Sequence, residues 1–234
     1  MDKRALLLTR PRESSERFVA RLAPELLEGV TLCFSPLIEI VTTGVVVDLS
    51  NIDGAIFTSL HGVRFGPEGA GRPAYCVGMQ TSEAAKAKGW DVVLVEQAAD
   101  DLVAVIGRGY QLGRLVHLAG THRRGEIDNR LRQQGISVEV AVLYDQELIP
   151  LTMEAKNLLA GEVPVIVPLF SPRTAAQFVD QAGQLRGSII VAISSAVSEV
   201  VADRSVRDMY VATAPSAKEM TRLVEILLRK NSLS

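Results

Sequence analysis

The chain has 234 residues, enough for one large domain or two small ones. Hydrophobic residues make up 47% and charged residues 22% of it, a composition that excludes a disordered or collagen-like chain. The net charge of −2 and the small number of aromatic side chains (1 Trp, 4 Tyr and 6 Phe) argue against binding to nucleic acid or to an anionic membrane surface.

Short aliphatic runs alternate with amphipathic stretches along the whole chain, which predicts an α/β fold. The predicted strands are 4–9, 30–35, 54–57, 74–77, 91–95, 115–119, 136–143, 164–170, 188–193 and 207–211. The predicted helices are 13–23, 81–88, 99–108, 124–134, 151–160, 172–183, 195–202 and 216–229. Since most strands are apolar on both faces, we expect parallel sheets that are covered on both sides. The last helix is the clearest, because Ser216 can cap it and Glu219 follows three residues later.

The chain also resembles itself at a nearly constant offset, and its ten predicted strands would make two sheets of five. Thr9 and Thr121 each follow a strand and lie 112 residues apart, as do Ser59 and Ser171. A third pair of strand ends, at Gly78 and Ser194, is separated by 116 residues. The offsets predict two copies of one α/β unit, although α/β chains share such features in general.

Two segments with extended character, 36–41 and 143–149, stand where the halves of the chain would join. If they run side by side as two crossovers, residues 42–142 form one domain. That domain is then inserted into another, which is made from 1–35 and 150–234.

Small, hydroxylic or basic residues follow most of the predicted strands. In parallel α/β sheets ligands bind outside the carboxyl ends of the strands, so these residues are candidates for binding an anion in a cleft. Each hydroxyl can equally serve only as a helix cap. The candidates are Arg10, Thr58, Ser59, Thr81, Gly120, Thr121, Ser171, Arg173 and Ser194.

Sequence motifs for the common cofactors are missing. The chain has no GxGxxG, P-loop or GxSxG motif, and the three histidines, His61, His117 and His122, lack the spacing of metal ligands. Cys33 and Cys76 fit no metal-binding pattern, so we expect reduced thiols in the core. We therefore expect neither a metal nor a nucleotide cofactor.

The apolar run at 5–8 is too short for a signal peptide, and no stretch of 18 apolar residues occurs. We expect a cytoplasmic protein that does not enter a membrane. We also expect a monomer, because no predicted strand has the pattern of a long exposed apolar edge.

Five short motifs, in order along nearly the whole chain, resemble the uroporphyrinogen-III synthase family. They are Leu7-Leu8-Thr9-Arg10-Pro11, Ile56-Phe57-Thr58-Ser59, Val77-Gly78-Met79-Gln80-Thr81, Val142-Leu143-Tyr144 and Leu169-Phe170-Ser171-Pro172. The resemblance implies two flavodoxin-like domains with parallel sheets, joined by a two-stranded linker, the second domain inserted into the first. Residues 1–35 would then complete the sheet begun by 164–211.

The resemblance further implies that the chain cyclises hydroxymethylbilane to uroporphyrinogen III without a cofactor, inverting the last pyrrole ring (ring D) and releasing water. The electron-rich pyrroles expel the hydroxyl group themselves, so the protein has mainly to fold a linear tetrapyrrole with eight acidic side chains. Tyr144 matches the family's linker tyrosine, which would assist departure of the hydroxyl group. Thr81 matches the threonine after the second strand of the inserted domain, and Thr58, Ser59 and Ser171 match turns that line the cleft. A hydroxymethylbilane synthase would be the natural source of the substrate.

The chain departs from the family where Ser194-Ser195-Ala196-Val197 replaces the usual Gly-Pro and following Thr, and where 62–73 lacks most of a helix. These departures leave open a non-catalytic paralogue, a binding or regulatory protein that senses an acidic metabolite. A flavodoxin-like electron carrier is less favoured, because few aromatic residues are available to hold a flavin.

Overall fold

The computed structural model is an α/β protein and describes residues 4–108, 112–123 and 125–230, the side chain of Lys230 excepted. Its strands are β1 (Arg4–Leu8), β2 (Val30–Phe34), β3 (Ile38–Thr42), β4 (Gly54–Phe57), β5 (Pro73–Val77), β6 (Asp91–Glu96), β7 (Leu115–Gly120), β8 (Val138–Leu148), β9 (Val165–Leu169), β10 (Leu185–Ala192) and β11 (Val206–Val211). Its helices are α1 (Arg12–Val19), α2 (Leu60–Phe65), α3 (Met79–Ala87), α4 (Ala99–Ile106), α5 (Ile127–Gln133), α6 (Met153–Ala160), α7 (Pro172–Gln181), α8 (Ser195–Val201) and α9 (Ala217–Lys230), with a short 3-10 helix at Pro24–Leu27.

The chain divides into two compact units. Unit 1 consists of the described parts of Met1–Glu39 and Glu147–Ser234, and unit 2 of those of Ile40–Gln146. Unit 1 carries a five-stranded sheet in the order β11-β10-β9-β1-β2, in which every neighbouring pair is parallel. Strand β1 therefore lies between β2 and β9, which confirms that the N-terminal strands complete a sheet made by the C-terminal part of the chain.

Unit 2 is built around a six-stranded sheet in the order β3-β8-β7-β4-β5-β6. The five strands from β8 to β6 are parallel to one another. The pairing of β3 with β8 is antiparallel, since Thr43 N–H donates to Leu143 C=O while Ile149 N–H donates to Leu37 C=O. The expected linker segments are thus a strand, β3, and the continuation of β8, so the second sheet has six strands rather than five.

The two sheets have the same arrangement with a different starting strand. If the strands of each unit are numbered 1 to 5 in chain order, those of unit 1 lie in the order 2-1-3-4-5, which is the flavodoxin-like order. The five parallel strands of unit 2, without β3, lie in the order 3-2-1-4-5. When the two sheets are compared position by position, the strands β4, β5 and β6 match β9, β10 and β11. The strands β7 and β8 match β1 and β2. The pairs of strand ends that are about 112 residues apart in the sequence therefore occupy equivalent sheet positions, and the predicted repeat is confirmed.

Apolar side chains cover both faces of each sheet, as the sequence pattern predicts. One cluster around Leu7, Val167 and Phe178 and another around Leu6, Ile166 and Val224 belong to the five-stranded sheet. The six-stranded sheet likewise has separate clusters that contain Phe57 and Ile56. Strands β1, β4, β7 and β9 are buried along their whole length, which is typical of central parallel strands.

The short helix α2 is the main element absent from the sequence prediction, in which 62–73 is a segment that lacks most of a helix. A Cβ atom at Gly62 would lie under 3.0 Å from the carbonyl oxygen of Leu118, so glycine lets α2 pack directly on β7. The last helix is confirmed: Ser216 Oγ accepts a hydrogen bond of 3.2 Å from Glu219 N–H. Among the described residues, no helix combines the length and the apolar character that crossing a bilayer requires.

Candidate functional site at the switch points of the two sheets

Each sheet has a point at which the direction of strand succession reverses, and ligands of parallel α/β sheets bind there. In unit 2 the chain runs from β4 outward through β5 and β6, then returns to place β7 and β8 on the other side of β4. In unit 1 the same reversal occurs between β1 and β9. The residues that follow β4 and β7 are Thr58, Ser59 and Thr121, and those that follow β1 and β9 are Arg10, Ser171 and Arg173.

Tyr144 lies beside the end of β7, but within β8 rather than in a separate linker. Gly120 is paired with Tyr144 across the two strands after a shift in register. Thr121 N–H donates a hydrogen bond of 3.0 Å to the carbonyl oxygen of Tyr144. The tyrosine is only 4% exposed, and its ring belongs to the core of unit 2. The tyrosine that matches the family's linker tyrosine is therefore packed in the core of unit 2 through its ring.

The Tyr144 ring is held between aromatic neighbours and a glycine. It stacks on Phe65 at a centroid distance of 6.1 Å and is tilted against His61 at 5.5 Å. A Cβ atom at Gly120 would lie under 3.0 Å from the ring. Because Gly120 has no side chain, the Tyr144 ring can pack directly against the backbone at the end of β7.

Thr58 and Ser59 follow β4, and the structure gives their hydroxyl groups different partners. Ser59 is the N-cap of α2, and its Oγ accepts a hydrogen bond of 3.0 Å from His61 N–H. Thr58 Oγ1 lies 3.2 Å from Nε2 of His117, which is on β7. The helix-cap interpretation therefore holds for Ser59, while Thr58 is paired with a side chain that the sequence did not assign to the site.

His117 is buried at 2% exposure between Thr58 and a carboxylate. Its Nδ1 is 3.7 Å from Oδ1 of Asp128, which lies in the first turn of α5. Asp128 is itself within 3.7 Å of Arg123 and 3.5 Å of Arg132. Burial lowers the pKa of His117 to about 4, because the protonated ring would lose its hydration; Asp128 opposes this shift and Arg123 adds to it. The imidazole is therefore neutral at pH 7.

In unit 1 the switch point carries a cation. The guanidinium group of Arg10 lies over the ring of Phe170, 4.5 Å from its centroid. Burial lowers the pKa of Arg10, as do, to a lesser degree, the positive charges of Arg17 and Arg21. Among the described residues no carboxylate lies within ion-pair distance of Arg10. This half-buried cation is therefore suited to an external anion.

The other predicted residues of unit 1 are placed at helix starts. Ser171 caps α7, accepting a hydrogen bond of 3.2 Å from Thr174 N–H, and its Oγ lies 2.7 Å from Oγ1 of Thr174. Arg173 is half-buried in the first turn of the same helix. Ser194 stands at the N-cap of α8, where its side chain makes no capping hydrogen bond.

Thr81 lies one strand away from the switch point of unit 2. It is in the first turn of α3, after β5, and is 6% exposed. Gly78 precedes that helix with a φ of +83°, which suits glycine. The structure thus brings Thr58, Ser59, Gly120 and Thr121 to the ends of β4 and β7, beside Tyr144 of β8, and places Thr81 in the helix that follows the next strand, β5.

Sequence reasoning missed His117 and Asp128, whose partners come from other elements. Together with Thr58 they form a line of groups in the order carboxylate, imidazole, hydroxyl. A histidine whose pKa is lowered to about 4 is a weak base, so the line is better suited to orient a hydroxyl group than to create a nucleophile. The chemistry that both switch points offer is hydrogen bonding and charge, in keeping with a ligand that carries many anionic groups.

Similarity to known proteins agrees with this picture. The family model described as Uroporphyrinogen-III synthase HemD matches residues 21–222. No curated protein matches the chain by sequence. Among solved structures, uroporphyrinogen-III synthetase from Helicobacter pylori 26695 superposes with a TM-score of 0.66 at 17% identity, covering 96% of this chain and 99% of the other. A mutant uroporphyrinogen III synthase from the extremely thermophilic bacterium Thermus thermophilus gives a TM-score of 0.52 at 17% identity, covering 97% and 99%.

Proposed function

The chain belongs to the uroporphyrinogen-III synthase family, and on this premise we propose that it cyclises hydroxymethylbilane to uroporphyrinogen III, with inversion of ring D and loss of water. The match extends over most of the chain, and the fold of the family's solved structures is the fold found here. The observation that carries the proposal within the structure is the convergence of Thr58, Gly120, Thr121 and Tyr144 at one switch point. Those residues come from three separate stretches of sequence.

The protein's task in this reaction is to favour one ring closure over another. Once the substrate has lost its hydroxyl group, the terminal carbon can be attacked at either of two positions of ring D, and only one of them leads to inversion. Holding the reacting atoms in a single geometry can lower a barrier by several kcal/mol, roughly 7–11 in the best cases. Buried strand ends on packed sheets suit this task, because they fix the directions of hydrogen-bond donors and acceptors.

The acidic side chains of the substrate need cations and hydrogen-bond donors. Arg10 supplies a guanidinium group without a carboxylate partner among the described residues, held in place by Phe170. We assign Arg10 to a substrate carboxylate in unit 1, with Ser171, Arg173 and Ser194 as further contacts at the starts of α7 and α8. In unit 2 we assign Thr58, Ser59, Thr81, Gly120 and Thr121 to the substrate-binding edge.

Tyr144 is the candidate that would assist departure of the hydroxyl group, by donating a hydrogen bond from its phenol. Its ring is fixed by Phe65 and by the close approach of Gly120. Since the pyrroles supply most of the driving force, we expect Tyr144→Phe to slow turnover by about tenfold or less, which corresponds to about 1.4 kcal/mol. Tyr210→Phe on β11 removes the same atom from an edge strand of the other sheet and should leave the rate unchanged.

The experiment that tests the proposal is turnover of freshly prepared hydroxymethylbilane, with the isomers resolved by chromatography. The proposal predicts uroporphyrinogen III at a rate well above that of buffer. Formation of only the uninverted isomer, at the buffer rate, would reject it. Binding of the substrate or product without turnover would instead support the non-catalytic paralogue that the altered Ser194–Val197 turn leaves open. Complete loss of activity in a folded Tyr144→Phe variant would contradict the modest role given to the phenol.

The setting of the reaction is part of the same proposal. We expect the chain to work in the cytoplasm as a monomer, without nucleic acid or membrane partners. Hydroxymethylbilane cyclises spontaneously, so direct handover from a hydroxymethylbilane synthase would protect it. Sedimentation of the purified protein at several concentrations would test the monomer.

A further inference from the structure

The line of groups formed by Asp128, His117 and Thr58 fixes the direction of a hydrogen bond. Nδ1 of His117 faces the Asp128 carboxylate at 3.7 Å, and this is too long for a hydrogen bond but close enough for a strong electrostatic effect in a buried site. Nδ1 makes no hydrogen bond to any described residue. Because a carboxylate can only accept, the neutral ring is more stable with its proton on Nδ1, directed at that charge.

The proton on Nδ1 leaves Nε2 as an acceptor. Thr58 Oγ1 lies 3.2 Å from Nε2, so the threonine hydroxyl must donate its single proton to the imidazole. The remaining lone pairs of Oγ1 can then only accept. Ser59, the next residue, is the opposite case: its Oγ already accepts from His61 N–H and keeps a proton that it can donate.

We propose that His117 is a positioning residue which makes Thr58 an obligate acceptor, so that Thr58 binds an N–H group of the substrate's pyrrole rings and not one of its carboxylates. This rests on the proposed function, since it assigns one contact of that substrate. Hydroxymethylbilane offers both kinds of group: pyrrole N–H donors along the chain of rings, and carboxylates at its margin. A site that distinguishes them can set where the rings lie and where the acidic side chains lie.

The first test needs no substrate. In protein labelled with ¹⁵N at histidine, long-range ¹H–¹⁵N correlation at pH 7 reports which ring nitrogen carries the proton. The chain has only three histidines, and the spectrum of His117→Gln identifies the signal of His117. We expect a proton on Nδ1 and none on Nε2. A protonated Nε2 would overturn the proposal whether or not the chain turns over hydroxymethylbilane.

The second test separates an N–H contact from a carboxylate contact by its response to salt. Thr58→Val should lower kcat/KM by about tenfold, the value of one neutral hydrogen bond, and Thr58→Ser should restore most of it. This loss should be the same at low and high ionic strength, because a pyrrole N–H carries no charge. Arg10→Gln, which removes a carboxylate contact, should show a loss that shrinks as salt is added. A Thr58→Val loss that also shrinks with salt would show that Thr58 binds a carboxylate and would overturn the assignment.

The third test asks whether His117 acts through Thr58. His117→Phe removes the acceptor for the threonine proton, and it should lower kcat/KM in the wild-type background but have no further effect in Thr58→Val. His117→Gln, whose amide oxygen can take the place of Nε2, should recover activity. Equal losses in both backgrounds would show that His117 only supports the fold. If no variant and no wild-type protein produces uroporphyrinogen III, the proposed function fails, and the protonation state of His117 still decides the polarity of Thr58.

Discussion

The burial of His117 makes a quantitative prediction about stability at acidic pH. The pKa of this histidine is about 4 in the folded protein, against an ordinary value of 6.5. Between those two pH values the unfolded chain binds a proton that the folded chain does not, so folding becomes less favourable as the pH falls below 6.5. At 1.36 kcal/mol for each pH unit, the full effect is about 3 kcal/mol, reached near pH 4. Above pH 6.5 the contribution of His117 to stability is fully present.

Unfolding in urea, followed by tryptophan fluorescence, measures this effect in the right part of the molecule. The single tryptophan, Trp90, is 3% exposed and lies in unit 2, the unit that contains His117. We compare the wild type with His117→Gln at pH 7.0, 6.0, 5.0 and 4.5. Groups distant from His117 have the same surroundings in both proteins, so the difference between the two curves reports on the site of the replaced histidine and on Asp128 beside it. From pH 7.0 to 4.5 the wild type should lose about 2 to 3 kcal/mol more than the variant.

His122→Gln is the matched control for the substitution itself, because the His122 side chain is 50% exposed, and its free energy of unfolding at pH 7.0 should be close to that of the wild type. If His117→Gln loses stability in parallel with the wild type, then His117 is not held neutral by its surroundings. A protonated His117 would donate from Nε2, and Thr58 could then not be the donor in that hydrogen bond.

Three further predictions concern residues that position the site or its core. Gly120→Ala should destabilise the protein by about 1 to 3 kcal/mol in thermal unfolding and lower turnover, because the new Cβ displaces the Tyr144 ring. An unchanged melting temperature would contradict the close approach of Gly120 to that ring. Lys88→Met should lower the free energy of unfolding in urea by about 1 to 3 kcal/mol, since the ammonium group donates to three carbonyl oxygens at the end of α2, two of them at 3.0 and 2.9 Å. An unchanged urea midpoint would show that water can replace the ammonium group at these carbonyls. Cys33 and Cys76 should resist a thiol reagent at pH 8 until the protein is unfolded, because burial raises both pKa values to about 11; rapid labelling of the native protein would disprove their burial.

Much of the fold could be predicted because its signals are local. A run such as Leu115–Gly120, with helical stretches before and after it, is recognisable as a central parallel strand without knowledge of its neighbours. The offset of about 112 residues also predicts which strands occupy matching positions in the two sheets. Ser59 and Ser171, which are separated by that offset, cap the corresponding helices α2 and α7. Helix α2 was missed for a physical reason. Gly62 weakens the helix signal, yet it is the close packing of α2 on β7 that requires a glycine there.

The site was only partly predictable, because what each residue does depends on its partners across the sheet. The hydroxyls of Thr58 and Ser59 look alike in the sequence, but one is bound to His117, 59 residues away, and the other to a helix backbone. The sequence did hold one usable signal. His117 interrupts the apolar strand Leu115–Gly120, and a polar side chain buried at such a position requires a partner. Burial thus requires a partner for His117 without identifying it. The register of β4 against β7 places Ile56 beside His117, and this makes Thr58 the partner. The contact between Thr58 and His117 is therefore specified by strand pairing, and a shift of β4 by one residue would remove it without altering any motif.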